Sequence, residues 1–163
     1  MSTAGRRADV SFPQIRTIAG SGTEPLPVAA GPTLGWIFQI GDFAYVEFPL
    51  HTYLDRTQDI IFGISWAPAG SEGSKNVTWR IDIGAEKVGA IVTDIDETVD
   101  AVDVAVPAVV ATYVRTGLAI PAAVFSDPDV DELHVRITRL AATADPAADP
   151  GMHHIAVVQS VTR

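Results

Sequence analysis

The segment from Asn76 to Ile83 constrains the fold more than any other part of the chain. Val77, Trp79, Ile81 and Ile83 alternate with Asn76, Thr78, Arg80 and Asp82. Side chains of an extended backbone point alternately to opposite faces, so this period of two gathers the apolar residues on one side. A helix would scatter the same residues around its circumference. The segment therefore predicts a strand with one buried and one wet face. Leu133, Val135 and Ile137, alternating with Glu132, His134, Arg136 and Thr138, repeat the pattern further along. Trp79, Ile81, Val135 and Ile137 are expected to be buried, with Arg80 and His134 turned outward.

The other apolar runs are short and bounded by breakers. Trp36–Ile40 stops at Gly41-Asp42, Phe43–Leu50 at Pro49 and His51, and Asp59–Trp66 at Pro68 and the turn-rich Gly70–Ser74. Ala90–Thr93, Leu118–Phe125 and His154–Thr162 add three more, the last following the polar turn Asp145–Gly151. In the middle, Val99, Val102, Val106, Val109, Val110 and Tyr113 fall at helix-like spacings, while Asp100, Val102, Val104 and Val106 fit a strand equally well. The valines favour strand, and Pro107 would break a long helix. Roughly eight to ten short strands, with turns about every 8–15 residues, predict an all-β fold, an antiparallel β-sandwich or barrel.

Residues 1–35 read differently. Ser, Thr, Ala, Gly and Pro dominate, with Pro13, Pro25, Pro27 and Pro32, and Ile15 and Ile18 are too few to build an element. They are expected to form an extended or partly disordered N-terminal arm that orders on a partner, with residues 36–163 as the sandwich domain. At 163 residues the chain fits one domain, and its 47% apolar share supports a core without staples.

Composition excludes several chemistries. The chain has no cysteine, so disulfides, thiolate catalysis and Cys-based metal sites are out. A formal charge of −9 opposes the phosphate backbone, so no nucleic-acid partner is expected. Met1 to Phe12 carries two arginines without an apolar run behind them, and no segment approaches the ~20 apolar residues a membrane span needs. The expectation is a soluble protein made in the cytoplasm, with no membrane partner.

No catalytic constellation emerges, and no catalytic, cofactor-binding or metal-ligating residue is assigned. His51, His134, His153 and His154 lack H-x-H or H-E-x-x-H spacing. Adjacent His153 and His154 should face opposite sides of a strand, so no three of the four histidines are expected to meet. Asp127, Asp129, Asp131 and Glu132 resemble a calcium loop, but Glu132 and Thr138 stand where an EF-hand needs Gly and Glu. Asp94, Asp96, Glu97, Asp100 and Asp103 read as a solvated acidic group. Gly63-Ile64-Ser65-Trp66-Ala67 lacks the second glycine of a nucleophile elbow, and no phosphate-binding glycine loop is present. Asn76-Val77-Thr78 matches a glycosylation sequon. Trp36, Trp66 and Trp79 could floor a sugar site, but Trp66 and Trp79 fit the core better. The chain is not expected to be an enzyme.

Several motifs resemble a group of tailed-bacteriophage structural proteins. Phe43-Ala44-Tyr45-Val46-Glu47-Phe48-Pro49-Leu50-His51 is similar to their aromatic strand and turn, and Ile60 to Pro68, ending Ser65-Trp66-Ala67-Pro68, to the next strand. Asn76-Val77-Thr78-Trp79-Arg80 resembles the strand after that, and Arg136-Ile137-Thr138-Arg139-Leu140 with the turn Ala141 to Asp149 resembles the closing segment. Gly63 and Ser65 stand where that family often carries histidines. The resemblance implies a jelly-roll-like virion structural protein: capsid decoration or cement, or a head or collar fibre. It would be a homo-oligomer, a trimer above all, placed on a major capsid or other head protein. The alternative is a carbohydrate-binding β-sandwich module, monomeric and with exposed tryptophans.

Overall fold

A computed structural model describes residues 4–10, 26–30, 33–87 and 95–161, with side chains from residue 35 onward. The described residues form ten strands: β1 (Ala4–Val10), β2 (Leu26–Ala30), β3 (Thr33–Ile37), β4 (Phe43–Pro49), β5 (Ile60–Ala67), β6 (Asn76–Lys87), β7 (Glu97–Ala105), β8 (Val114–Ile120), β9 (Val130–Leu140) and β10 (Gly151–Val161). Every pairing between them is antiparallel. One sheet runs β2-β3-β10-β5-β8, with β1 also on β10; the other runs β4-β9-β6-β7. From β3 onward the chain changes sheet at nearly every connection, which is the sandwich expected. Among the described residues no helix is long and apolar enough to cross a membrane.

The two strands read most clearly from the sequence lie side by side. Ile81 pairs with Ile137 and Ile83 with Val135, and all four are fully buried, as are Val77, Trp79 and Leu133. Ile60, Phe62, Ile64 and Trp66 of β5, Leu118 and Ile120 of β8, and Met152, Ile155 and Val157 of β10 meet them from the facing sheet. Burying each such side chain contributes roughly 1.5–3 kcal/mol before conformational entropy is counted. Trp79 sits at the centre, edge-on to Phe38 at 5.5 Å and tilted against Trp66 at 6.3 Å. Trp66 Nε1 donates to Thr116 Oγ1 at 2.9 Å, which satisfies its one donor inside the core.

One core position is charged. Arg139 lies on the same face of β9 as Ile137 and is wholly buried. Its guanidinium donates to the Phe38 carbonyl at 2.8 Å and pairs with Asp149 and, at 3.4 Å, with Asp145. The acidic turn before β10 thus neutralises a cation that closes one end of the core.

The structure corrects several expectations. The described parts of residues 1–35 are strands of this chain's own sheet: Ala4–Val10 pairs with Ile155–Val161, and β2 and β3 form a hairpin beside Gly151 and Met152. The boundary at 35/36 therefore falls inside β3. Hydrogen bonds from β10 to β1 and from β3 to β2 supply what these segments lack in apolar side chains. The run from Trp36 to Ile40 begins earlier and ends at Ile37, Ala122–Phe125 is a 3-10 turn, and Val109 to Tyr113 is loop. Ala90–Thr93 and Asp94 lie outside the described residues. On the outward face of β6, Thr78 and Asp82 are buried, because Thr78 Oγ1 accepts from the Asp103 amide and Asp82 binds Thr98 and Arg136. Arg80 does turn outward, held by both oxygens of Asp100 at 2.8 Å.

Candidate functional site

A ladder slip in β10 builds a depression on the six-stranded sheet. Met152 pairs with Trp66 and His154 with Ser65, so His153 is an extra residue with no partner on β5. Such a bulge breaks the strict alternation of faces. His153 and His154, expected on opposite sides, instead both line one depression of about 490 Å³ with Ser65, Tyr113, Val114 and Arg115. Ser65 lies between His154 on β10 and Arg115 on β8 in register, so three strands present one polar row.

Two residues shape this row from beneath and beside. Gly35 on β3 leaves room for the His153 ring, since a Cβ there would stand 2.6 Å from Nδ1. Tyr113, in the loop before β8, meets the same ring edge-on at 5.1 Å and is 55% exposed. Ala111, two residues earlier, takes a left-handed φ of 59°. Further along the same face, Arg115 Cδ passes 3.8 Å from where a Cβ at Gly63 would lie. The floor is therefore narrow-chained and the rim aromatic.

The electrostatics follow from burial. Desolvation pushes the His153 imidazole below its usual pKa, and its Nδ1 is buried with no hydrogen-bond partner among the described residues. A neutral imidazole with an open nitrogen can accept or donate one hydrogen bond. Arg115 forms no ion pair among the described residues and offers five donors. None of the six lining residues is a carboxylate. The site can hold hydroxyls and stack a ring.

The remaining candidates lie elsewhere. His51 follows β4, where its amide donates to Gln159 Oε1 at 2.8 Å. His134 stands on the outer face of the second sheet. Asp127 pairs with Lys87 and accepts from the Asp129 amide. Asp96 accepts from the Ala85 amide and Asp103 from Thr143; the acidic group near β7 stitches strands together. Trp66 and Trp79 are core, and Trp36 packs against it. Tyr113 carries the exposed ring that the tryptophans do not; in the sequence it stood only at the end of a valine-rich series read as strand.

No protein-family model matches the chain, and neither does any curated protein sequence. Solved structures do. A xylan-binding module, CBM15, superposes with a TM-score of 0.56 at 11% identity, covering 96% of this chain and 97% of that one. Dimeric latent PorU from Porphyromonas gingivalis gives 0.45 at 8% identity, over 99% of this chain and 13% of that one. A family 35 carbohydrate binding module from Clostridium thermocellum gives 0.39 at 10% identity, over 94% and 90%. The first likeness establishes the jelly-roll-like sandwich, and at this identity it shows the fold alone.

Proposed function

We propose that this chain is a non-catalytic carbohydrate-binding β-sandwich that seats a saccharide in the depression on the six-stranded sheet. One observation carries the reading: the exposed Tyr113 ring lines the same depression as the hydrogen-bonding side chains Arg115, Ser65 and His154, with His153 packed edge-on against it. A sugar has an apolar C–H face that an aromatic ring covers, and a rim of hydroxyls that need donors and acceptors. The opening of about 490 Å³ is of the size that small ligands fill. Glycoside hydrolysis ordinarily uses two carboxyl groups flanking the bond, and the lining offers none. The scaffold likeness to a xylan-binding module supports the same reading and makes xylan the first probe.

Electrophoretic retardation in gels containing soluble polysaccharides, xylan first, tests the reading. The wild type should be slowed by at least one of them, and Tyr113→Ala should run as it does without polysaccharide. Equal mobility of both proteins in every gel would contradict it.

A second reading, a homotrimeric virion structural protein on a capsid or head protein, draws on one feature. Val102, Val109 and Val110 are 66%, 68% and 47% exposed near β7 and β8, each the terminal strand of its sheet among the described residues. Apolar edges invite pairing between copies. Light scattering that gives three times 17.3 kDa would favour this reading, and a monomer would remove it.

A further inference from the structure

We propose that Glu86, Glu132 and His134 form a divalent-metal site of the zinc class on the outer face of the four-stranded sheet, apart from the saccharide depression. Register brings them together: Glu86 pairs directly with Glu132, and His134 stands two residues along β9 opposite Gly84, which contributes no side chain. One ligand atom from each lies within 4.8 Å of the others. His134 Nε2 is 2.9 Å from a Glu86 oxygen and 4.0 Å from a Glu132 oxygen. Ligand atoms about 2.0–2.2 Å from a tetrahedral zinc stand about 3.3 Å apart, so the two separations bracket the requirement.

Three further facts favour a cation there. Glu86 and Glu132 are like charges directly opposed on neighbouring strands, an arrangement that repels when nothing neutralises it. Among the described residues no lysine or arginine pairs with either of them or with Glu47; Lys87 is taken by Asp127 and Arg136 by Asp82. His134 Nε2 and Glu86 Oε1 are buried atoms that make no hydrogen bond among the described residues, although Nε2 stands 2.9 Å from the other Glu86 oxygen. The other imidazole nitrogen, Nδ1, faces Glu47 Oε1 at 3.5 Å. A carboxylate on that side orients a metal-binding imidazole and raises its basicity. One nitrogen and two carboxylate ligands suit zinc; magnesium and calcium prefer oxygen alone.

Isothermal titration of the chelator-treated protein with zinc chloride tests the site. We expect one zinc per chain, with magnesium and calcium giving no comparable heat. His134→Gln and Glu132→Gln should each abolish it or weaken it by at least tenfold. Glu47→Gln should weaken it by roughly 10–100-fold while leaving the metal-free melting temperature unchanged, which separates positioning from structure. A cobalt-loaded sample should show an imidazole-plus-oxygen absorption spectrum that His134→Gln loses. No stoichiometric zinc in the folded wild type would overturn the proposal. So would binding that survives His134→Gln and disappears in the double variant of His153→Gln with His154→Gln.

Discussion

The imidazole of His153 occupies the space that a side chain at Gly35 would fill. A Cβ at residue 35 would lie 2.6 Å from His153 Nδ1, 2.8 Å from its Cε1 and 3.0 Å from the Met152 carbonyl oxygen. Gly35→Ala must therefore tilt the ring, and with it the wall it shares with Tyr113. We expect a cost of about 1–3 kcal/mol in urea unfolding, typical of an overpacked site. The His153 ring protons should shift in the NMR spectrum, and saccharide affinity should fall.

His153 also sets a pH dependence. Burial holds its folded-state pKa below the unfolded value near 6.5, so the unfolded chain takes up a proton first as pH falls. The stability it contributes is complete above that unfolded value and is lost as pH drops through it toward the folded one. The lowered carboxyls Asp55, Glu72, Asp100, Asp103 and Asp127 act in the same direction but in a lower window, beneath their ordinary values of 3.8 and 4.5. Denaturant midpoints measured every half unit from pH 7.5 to 5 should decline in the wild type and decline less in His153→Gln. Identical slopes would place the ring in a better-solvated setting than its geometry implies.

Arg139 makes a sharper stability test. Removing Asp149 leaves a fully buried guanidinium with only the more distant Asp145 and one carbonyl. Asp149→Ala should cost about 3–5 kcal/mol, whereas Arg139→Met, which removes the charge itself, should cost much less. Urea unfolding of the two variants checks the order.

Arg56 gathers carbonyls rather than carboxylates. It donates to Phe125 and Asp127 at 2.6 Å, Val130 at 2.8 Å and Pro128 at 3.4 Å, holding the turn that leads into β9. Lysine cannot reproduce that planar fork. Arg56→Lys should destabilise by roughly 2 kcal/mol and speed amide exchange at Val130 before the rest of β9.

How much of this was legible depends on where each residue's partners lie. The faces of β6 and β9 could be read because Trp79, Ile81, Val135 and Ile137 report their own burial through alternation. β1 and β2 could not, because their hydrogen bonds come from β10 and β3 rather than from their own composition. Thr78 and Asp82 look wet in sequence and are buried by groups 16 to 54 positions away. The candidate site was hidden by a single extra residue: without the slip at His153, the two histidines would face apart. Glu132 and His134 share the wet face of β9 by local alternation, but Glu86 joins them only through the β6–β9 register, which no local spacing announces.

NMR titration reports on the saccharide site residue by residue. The ¹⁵N-labelled protein would be titrated with xylo-oligosaccharides and a panel of other neutral and acidic oligosaccharides, beside Tyr113→Ala. Saturable shifts centred on Ser65, Tyr113, Val114, Arg115, His153 and His154 are expected for at least one sugar, and none in the variant. Shifts centred on another surface, or no saturable shift with any sugar, would contradict it.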